Sequence, residues 1–157
     1  MRMLKGLLTG AVLLASAALP MNAFAAGEIT IAIGSEPSTL DPQARDDGGE
    51  RAVNDNIYET LMARKPDGTL VPGLAAAAPT KVDDTTWEFK LREGISFTNG
   101  EPFNADAVVA SVERILNPDL KSEQLAYFGG ISGAKKVDDL TVQITTTGPD
   151  PILPSRM

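Results

Sequence analysis

The chain has no cysteine, no histidine and a single tryptophan, and aromatic side chains make up only 5% of its 157 residues. Without cysteine, a disulfide framework, a thiol nucleophile, a Cys-zinc site and a thiolate-held iron–sulfur cluster are excluded. Without histidine there is no Ser-His-Asp triad and no imidazole metal ligand. Basic residues are also in the minority, 14 Lys and Arg against 21 Asp and Glu, for a net charge of −7. Such a chain repels phosphate backbones, which argues against nucleic acid as a partner. The glycines form no G-x-G-x-x-G or P-loop pattern, so nucleotide binding is not indicated. A hydrophobic fraction of 43% is ordinary and permits a packed core, and the length predicts one domain.

What is present begins with export. Arg2 and Lys5 make a positive start, Gly6 to Leu19 is apolar apart from Thr9 and Ser16, and Pro20 breaks the run. Ala23-Phe24-Ala25 then supplies small residues at the two positions a signal peptidase reads. The pattern predicts a signal peptide over residues 1–25 with cleavage after Ala25. The run is shorter than the roughly 20 apolar residues of a membrane-spanning helix, which disfavours an anchor. No cysteine follows for lipid attachment, so the expected product is a soluble periplasmic chain. Residues 26–157 would carry 12 basic against 21 acidic side chains.

Periodicity outlines the rest. Glu28 to Ile33 alternates polar and apolar residues and predicts a half-buried strand. Gly34 to Gly49, with Pro37 and Pro42, predicts an extended loop. Val53, Ile57 and Leu61 at i, i+4 and i+8 predict a helix from Glu50 to Met62. Turns follow at Pro66-Asp67-Gly68 and Pro72-Gly73. Trp87, Phe89 and Leu91 alternate with Glu88, Lys90 and Arg92, a one-sided strand whose aromatic face is more simply core than a stacking platform. Asn104 is the expected N-cap of a helix from Ala105 to Leu116 that buries Val108, Val109, Val112, Ile115 and Leu116. Lys121 to Lys136 gives no firm element, with Gly129, Gly130 and Gly133 as breakers. Leu140 to Thr145 alternates again as a strand. Mixed elements predict an α/β or α+β class.

Paired acids occur at Asp46-Asp47, Asp83-Asp84 and Asp138-Asp139. None follows the calcium-loop pattern, and the last two sit at expected turns. Glu36 and Asp41 are a conceivable acid/base pair across one loop, with nothing in the sequence to set their separation.

Seven stretches, in order, resemble the peptide/nickel solute-binding proteins of ABC importers, the extracellular solute-binding family 5. Pro37, Leu40, Asp41 and Pro42 match its P-x-x-L-D-P start, and Tyr58-Glu59-Thr60-Leu61 its Y-E-x-L. Pro72-Gly73-Leu74-Ala75, Trp87 to Gly94 and Phe97 to Phe103 match three further motifs. The helix Ala105 to Leu116 and the segment Val137 to Val142 also fit. Two positions depart: Ala107 stands where the family usually has an acid, and Ala76 to Pro79 where it commonly has a Trp.

The resemblance implies a periplasmic, non-enzymatic binding component that captures a solute, most simply a peptide, and delivers it to an inner-membrane permease. It implies no cofactor, metal or catalytic residue, and a monomer at full length. Nickel complexes, glutathione and oligosaccharides remain alternative solutes. A small exported hydrolase using carboxylates and an interaction module without a small ligand remain alternatives of other classes. The implied fold is the N-terminal part of a two-lobed α/β periplasmic-binding-protein fold, an incomplete fragment. Residues 26–62 would open the first lobe, 63–148 would be an extra mixed α/β domain inserted in it, and 149–157 would return toward the lobe. In such proteins the loop after L-D-P forms part of the ligand wall, which here is Gln43 to Gly48. Asp46, Asp47 and Gly48 are the implied ligand-facing residues, with Glu36 a further contact. Expression in a Gram-negative host is expected to release a product beginning at Ala26, which intact-mass measurement of the periplasmic fraction checks.

Overall fold

The computed structural model describes residues 29–157; the signal segment, its cleavage point after Ala25 and Glu28 lie outside the described residues. The chain divides into two compact units, Met1–Ala32 and Ile33–Met157. Of the first unit, Ile29 to Ala32 are described and carry no helix or strand. The strand expected over Glu28 to Ile33 is therefore not formed at its described positions, and Ile29, Ile31 and Ile33 are exposed. An alternating segment becomes a strand only by pairing, and no described strand pairs with this one.

The second unit is built on a four-stranded antiparallel sheet. Its strands are β3 (Thr80–Lys81), β4 (Thr86–Lys90), β5 (Ile131–Asp138) and β6 (Thr141–Thr146), in the order β3-β4-β6-β5. A separate hairpin pairs β1 (Met62–Arg64) with β2 (Leu70–Pro72). Helix α1 (Gly48–Asn54) precedes the hairpin, α2 (Ala105–Leu116) crosses between β4 and β5, and α3 (Leu125–Phe128) is a single turn before β5. No described helix is long and apolar enough to cross a membrane.

The core follows from the alternation of β4 and β6. Phe89 is opposite Val142 and Trp87 opposite Ile144. Phe89, Val142 and Ile144 have no solvent exposure at all. Against them packs the apolar stripe of α2, where Ala105, Val108 and Val112 join the same cluster. Ile115 is buried as well, while Val109 and Leu116 of the expected stripe are half-buried. Asn104 caps this helix as expected, its side chain accepting from the Ala107 amide at 3.1 Å. The Ala105 amide reaches the Asp139 carbonyl (2.9 Å), and Lys136 pairs with both Asp106 and Asp139 (2.7 Å each), so the start of α2 is tied to the β5–β6 turn.

Two further segments differ from expectation. The helix expected from Glu50 to Met62 stops at Asn54. Asp55 and Asn56, weak helix formers, end it, and the chain turns so that Leu61 and Met62 enter the core beside the β1–β2 hairpin. Ile57 and Tyr58, which would have continued the stripe, are exposed. The unassigned stretch Lys121 to Lys136 contains α3 and most of β5. Its glycines do not break the strand: register shifts fall between Ile131 and Gly133 and between Lys136 and Asp138, so irregular pairing absorbs the glycine.

The turns behave as composition predicts. Gly68 and Gly100 adopt φ of +85° and +88°, a region that favours glycine. Asp83 accepts from the Thr85 amide (2.8 Å) and Asp138 from the Leu140 amide (2.9 Å), so these acids are turn residues. Trp87 lies against the core with its Nε1 donating to the Asp150 carbonyl (3.0 Å), in keeping with the expected core face. Phe89→Ala is expected to destabilise the fold by about 3–5 kcal/mol in urea denaturation, as truncation of a fully buried phenylalanine does. Lys135→Ala, on the exposed side of β5, should stay within about 0.5 kcal/mol.

Candidate functional site

The loop Asp41 to Asp47 leads into α1, and a series of polar contacts binds it to two distant segments. Pro42 to Ala44 form a turn in which Asp41 accepts from the Gln43 amide through Oδ1 (3.0 Å) and the Ala44 amide donates to the Asp41 carbonyl (3.2 Å). On the α2 side, Arg114 donates to both Asp41 oxygens (3.0 and 2.5 Å) and to Gln43 Oε1 (2.8 Å). Gln43 Nε2 donates to the Ser111 carbonyl and hydroxyl, both at 2.9 Å.

On the α3 side, the Ser122 hydroxyl donates to the Gln43 carbonyl, and the Glu123 amide to the Ala44 carbonyl (3.1 Å). Gln124 Nε2 donates to the Arg45 carbonyl (2.7 Å). Glu123 in turn accepts from the Arg45 guanidinium (2.7 Å) and the Asp46 amide (3.2 Å). The loop therefore has little freedom left.

Each sequence-predicted site residue has a definite place. Asp46 is ion-paired to Arg51 (2.8 Å), and its carboxylate pushes the titration of the Tyr127 phenol above the ordinary range. Asp47 is the N-cap of α1, its Oδ1 accepting from the Gly49 amide at 2.7 Å. Gly48 opens the helix in free space, with no atom within 4 Å of where a Cβ would sit. Glu36 is exposed in the preceding loop. Asp46, Asp47 and Gly48 thus share one exposed loop end, whereas Glu36 is separate from the contacts that order it. Asp41, the other half of the conceivable acid/base pair, is bound by Arg114 instead.

Residues outside the sequence-level selection complete the site. Arg51 and Glu123 contact Asp46 directly, while Arg45 and Gln124 are joined to it through Glu123 and the Arg45 carbonyl. At Gly49, unlike Gly48, a Cβ would meet the Ser35 hydroxyl, so a larger residue there requires that side chain to move. Glu50 is buried, and its Oε1 accepts from the Ser38 amide (3.0 Å) and the Ser38 hydroxyl, which fixes the loop that carries Glu36. Tyr127 also borders an open cleft of about 610 Å³, with Gly130, Thr147, Ile152 and the ion-paired Asp150 and Arg156 (2.6 Å) among its walls. No described cluster of three or more acids is arranged to hold a metal.

Comparison with known proteins decides the class. A model of the bacterial extracellular solute-binding proteins, family 5 (its middle part), matches residues 69–157. The chain belongs to this family. The glutathione-binding protein GsiB of Escherichia coli O1:K1 / APEC is 35% identical over 136 residues, 87% of this chain and 27% of that protein. The solved murein tripeptide binding protein MppA of Escherichia coli superposes with a TM-score of 0.70 at 28% identity, over 76% of this chain and 27% of MppA. A periplasmic oligopeptide-binding protein/oligopeptide ABC transporter (OppAIV) of Borrelia burgdorferi gives 0.69 at 26% identity, again over 76% and 27%. The chain spans about a quarter of the length of these relatives. The resemblance read from the seven motifs is borne out, and so is the α/β class of a family 5 periplasmic binding protein. Members of this family are binding proteins.

The ion pairs of the loop set its response to acid. Arg114, through its hydrogen bonds, holds the Asp41 carboxyl below its usual range despite partial burial, and Arg45 does the same for Glu123. Unfolded, the two carboxyls titrate near about 3.9 and 4.3, so on acidification the unfolded chain takes up protons first. The stability they confer is complete above that range and is lost as pH falls through the lowered folded values. Asp67, Asp83 and Asp138, lowered chiefly by the Thr69 amide, the Thr85 amide and the Thr141 hydroxyl, act in the same direction. Asp41→Asn is therefore expected to weaken the fold at pH 7 and to narrow the gap between urea midpoints at pH 7 and pH 3. An unchanged gap would show that the Asp41–Arg114 pair carries none of the acid sensitivity.

Proposed function

We propose that the protein is the solute-capturing component of an ABC importer, acting in the periplasm, and that its solute is a peptide. Membership of family 5 carries this reading, and the loop geometry agrees with it. A binding wall must be ordered before the solute arrives, and the Asp41 to Asp47 loop is ordered by contacts that leave its far end open. Gly48 gives a peptide backbone room to approach, as strand-like recognition of an extended ligand requires. Asp46 and the free oxygen of Asp47 offer acceptors to an ammonium group, either the peptide's own or a lysine's. Closure of a second lobe over the solute would then give the form the inner-membrane permease recognises.

The domain reading goes with this one: a signal peptide over 1–25, the start of the first lobe over 26–62, an inserted domain over 63–148 and a return over 149–157. Leu61 and Met62, at the proposed entry to the inserted domain, pack into its core. The proposed state is a monomer with no catalytic residue, cofactor or metal. The periplasmic relatives support the compartment.

Glutathione is the second reading, favoured by the 35% identity to a protein named for binding it. As a tripeptide with an extra carboxylate and a γ-linkage, it presents more negative charge to Asp46 and Asp47 than a neutral or basic peptide does. Isothermal calorimetry on the protein expressed over its whole reading frame separates the two. Trilysine and trialanine are expected to bind, and Asp46→Asn should weaken trilysine about tenfold more than trialanine, the scale of one charge-assisted hydrogen bond. Binding of reduced glutathione alone would replace the peptide reading with the second one.

A further inference from the structure

One residue that holds the loop comes from a helix far from it in sequence and was not among the candidate site residues. Arg114 lies in the last turn of α2, a helix whose position is set by the burial of Val108, Val112 and Ile115. Its guanidinium closes a fork on Asp41, with Nη2 on Oδ2 and Nη1 on Oδ1, and Nη1 also reaches Gln43 Oε1. This fixes which way the Gln43 amide points. Its oxygen meets a group that can only donate, and its nitrogen meets two acceptors on Ser111, so every polar atom of that side chain has a complementary partner. Arg114 thus sets both the turn at Asp41 and the docking of Gln43, three residues before Asp46.

We propose that Arg114 is the positioning residue of the solute-facing loop, clamping it to α2 in its binding form before any solute is present. The inference rests on the reading that Gln43 to Gly48 face the solute, and it assigns a binding role to a side chain within the region proposed as an inserted domain. That region then does more than add bulk: its helix presets the wall of the neighbouring cleft. A lysine cannot substitute, because an ammonium is a single point charge and cannot span Asp41 and Gln43 in one plane. The acid-shifted titration of Asp41 agrees with a pair formed in the folded state.

The clamp also has a definite energetic form. If the loop is ordered only a fraction of the time, the apparent dissociation constant rises by the inverse of that fraction. An opening constant K leaves a fraction 1/(1 + K) ordered, so binding weakens only as far as the open form comes to dominate.

Hydrogen exchange and calorimetry test this on the protein expressed over its whole reading frame. Without solute, Arg114→Ala is expected to lower the ordered fraction of the loop to about one tenth, so that amides across residues 41–47 exchange nearly as fast as in an unstructured chain, while β4 and β6 exchange as in the parent. Arg114→Lys should resemble Arg114→Ala rather than the parent. Trialanine binding should weaken about tenfold in both variants, and saturating trialanine should restore slow exchange in the loop. Unchanged exchange over 41–47 in Arg114→Ala would overturn the clamp, leaving Ser122, Glu123 and Gln124 as the elements that order the loop. Faster exchange with undiminished binding would overturn the positioning role. If the parent bound no peptide at all while the loop still loosened in the variants, the clamp would stand and the peptide reading would fall.

Discussion

Everything described in the second unit hangs from the pairing of β4 with β6. That ladder sets Phe89 against Val142 and Trp87 against Ile144, which gives the sheet one continuous apolar face. An apolar face of that size must be covered, and the Ala105–Val108–Val112 stripe of α2 covers it. Once α2 is seated, its outer side is fixed in space, and that outer side presents Ser111 and Arg114. The order of dependence runs from a dry core to a helix, and from the helix to a polar surface that receives a loop.

That receiving surface works by a different physics from the core. Its contacts are exposed or half-exposed, and a single surface ion pair contributes little, typically about 0–1 kcal/mol. What holds the loop is multiplicity within a short stretch: Asp41, Gln43, Ala44, Arg45 and Asp46 each make at least one contact with residues 111–124. Backbone groups are as involved as side chains, so the path of the chain is held and not merely its tips. Glu50 adds an anchor from the interior, where its carboxyl receives both donors of Ser38. The carboxylate pairs among these contacts weaken in acid, since protonation of Asp41 and Glu123 removes the charge that Arg114 and Arg45 meet.

How much of this could be read from the sequence depended on the range of each interaction. The capped helix Asn104 to Leu116, the alternation around Phe89 and the Asx turns at Asp83 and Asp138 are local, and their signals lie within a few residues. The helix drawn from Glu50 to Met62 failed because Val53, Ile57 and Leu61 have a helical spacing that a hairpin overrode, taking Leu61 and Met62 into the core. β5 was obscured by Gly133, a glycine that irregular pairing tolerates. The loop's acids were visible as candidates, but Arg114, Glu123 and Gln124 were not. They meet the loop across about 70 to 80 intervening residues, and no periodicity reports a contact at that separation. The adjacent glycines were visible as a pair, yet only the packing against Ser35 tells Gly49, where a Cβ would displace the Ser35 hydroxyl, from Gly48, which has room to spare.

The missing residue types acquire a sharper meaning in this setting. With no histidine or cysteine, recognition in this part of the protein falls to carboxylates, amides, guanidinium groups and the backbone. Most of these are already committed to one another: Asp41 to Arg114, Glu123 to Arg45, Asp46 to Arg51, Gln124 to a carbonyl. On the proposed reading, a solute arriving at the loop end would meet the uncommitted remainder, the second oxygens of Asp46 and Asp47 and the open space at Gly48. Those features suit a backbone and an ammonium group better than a metal ion or a nucleotide. Ordering the loop by internal pairs removes from the binding step the entropy that a floppy acidic loop would lose on capture. The same internal pairing also neutralises acids that would otherwise attract any passing cation. In a chain of net charge −7, selectivity for the proposed peptide would then rest on restricting which carboxylates stay free, more than on adding new ones.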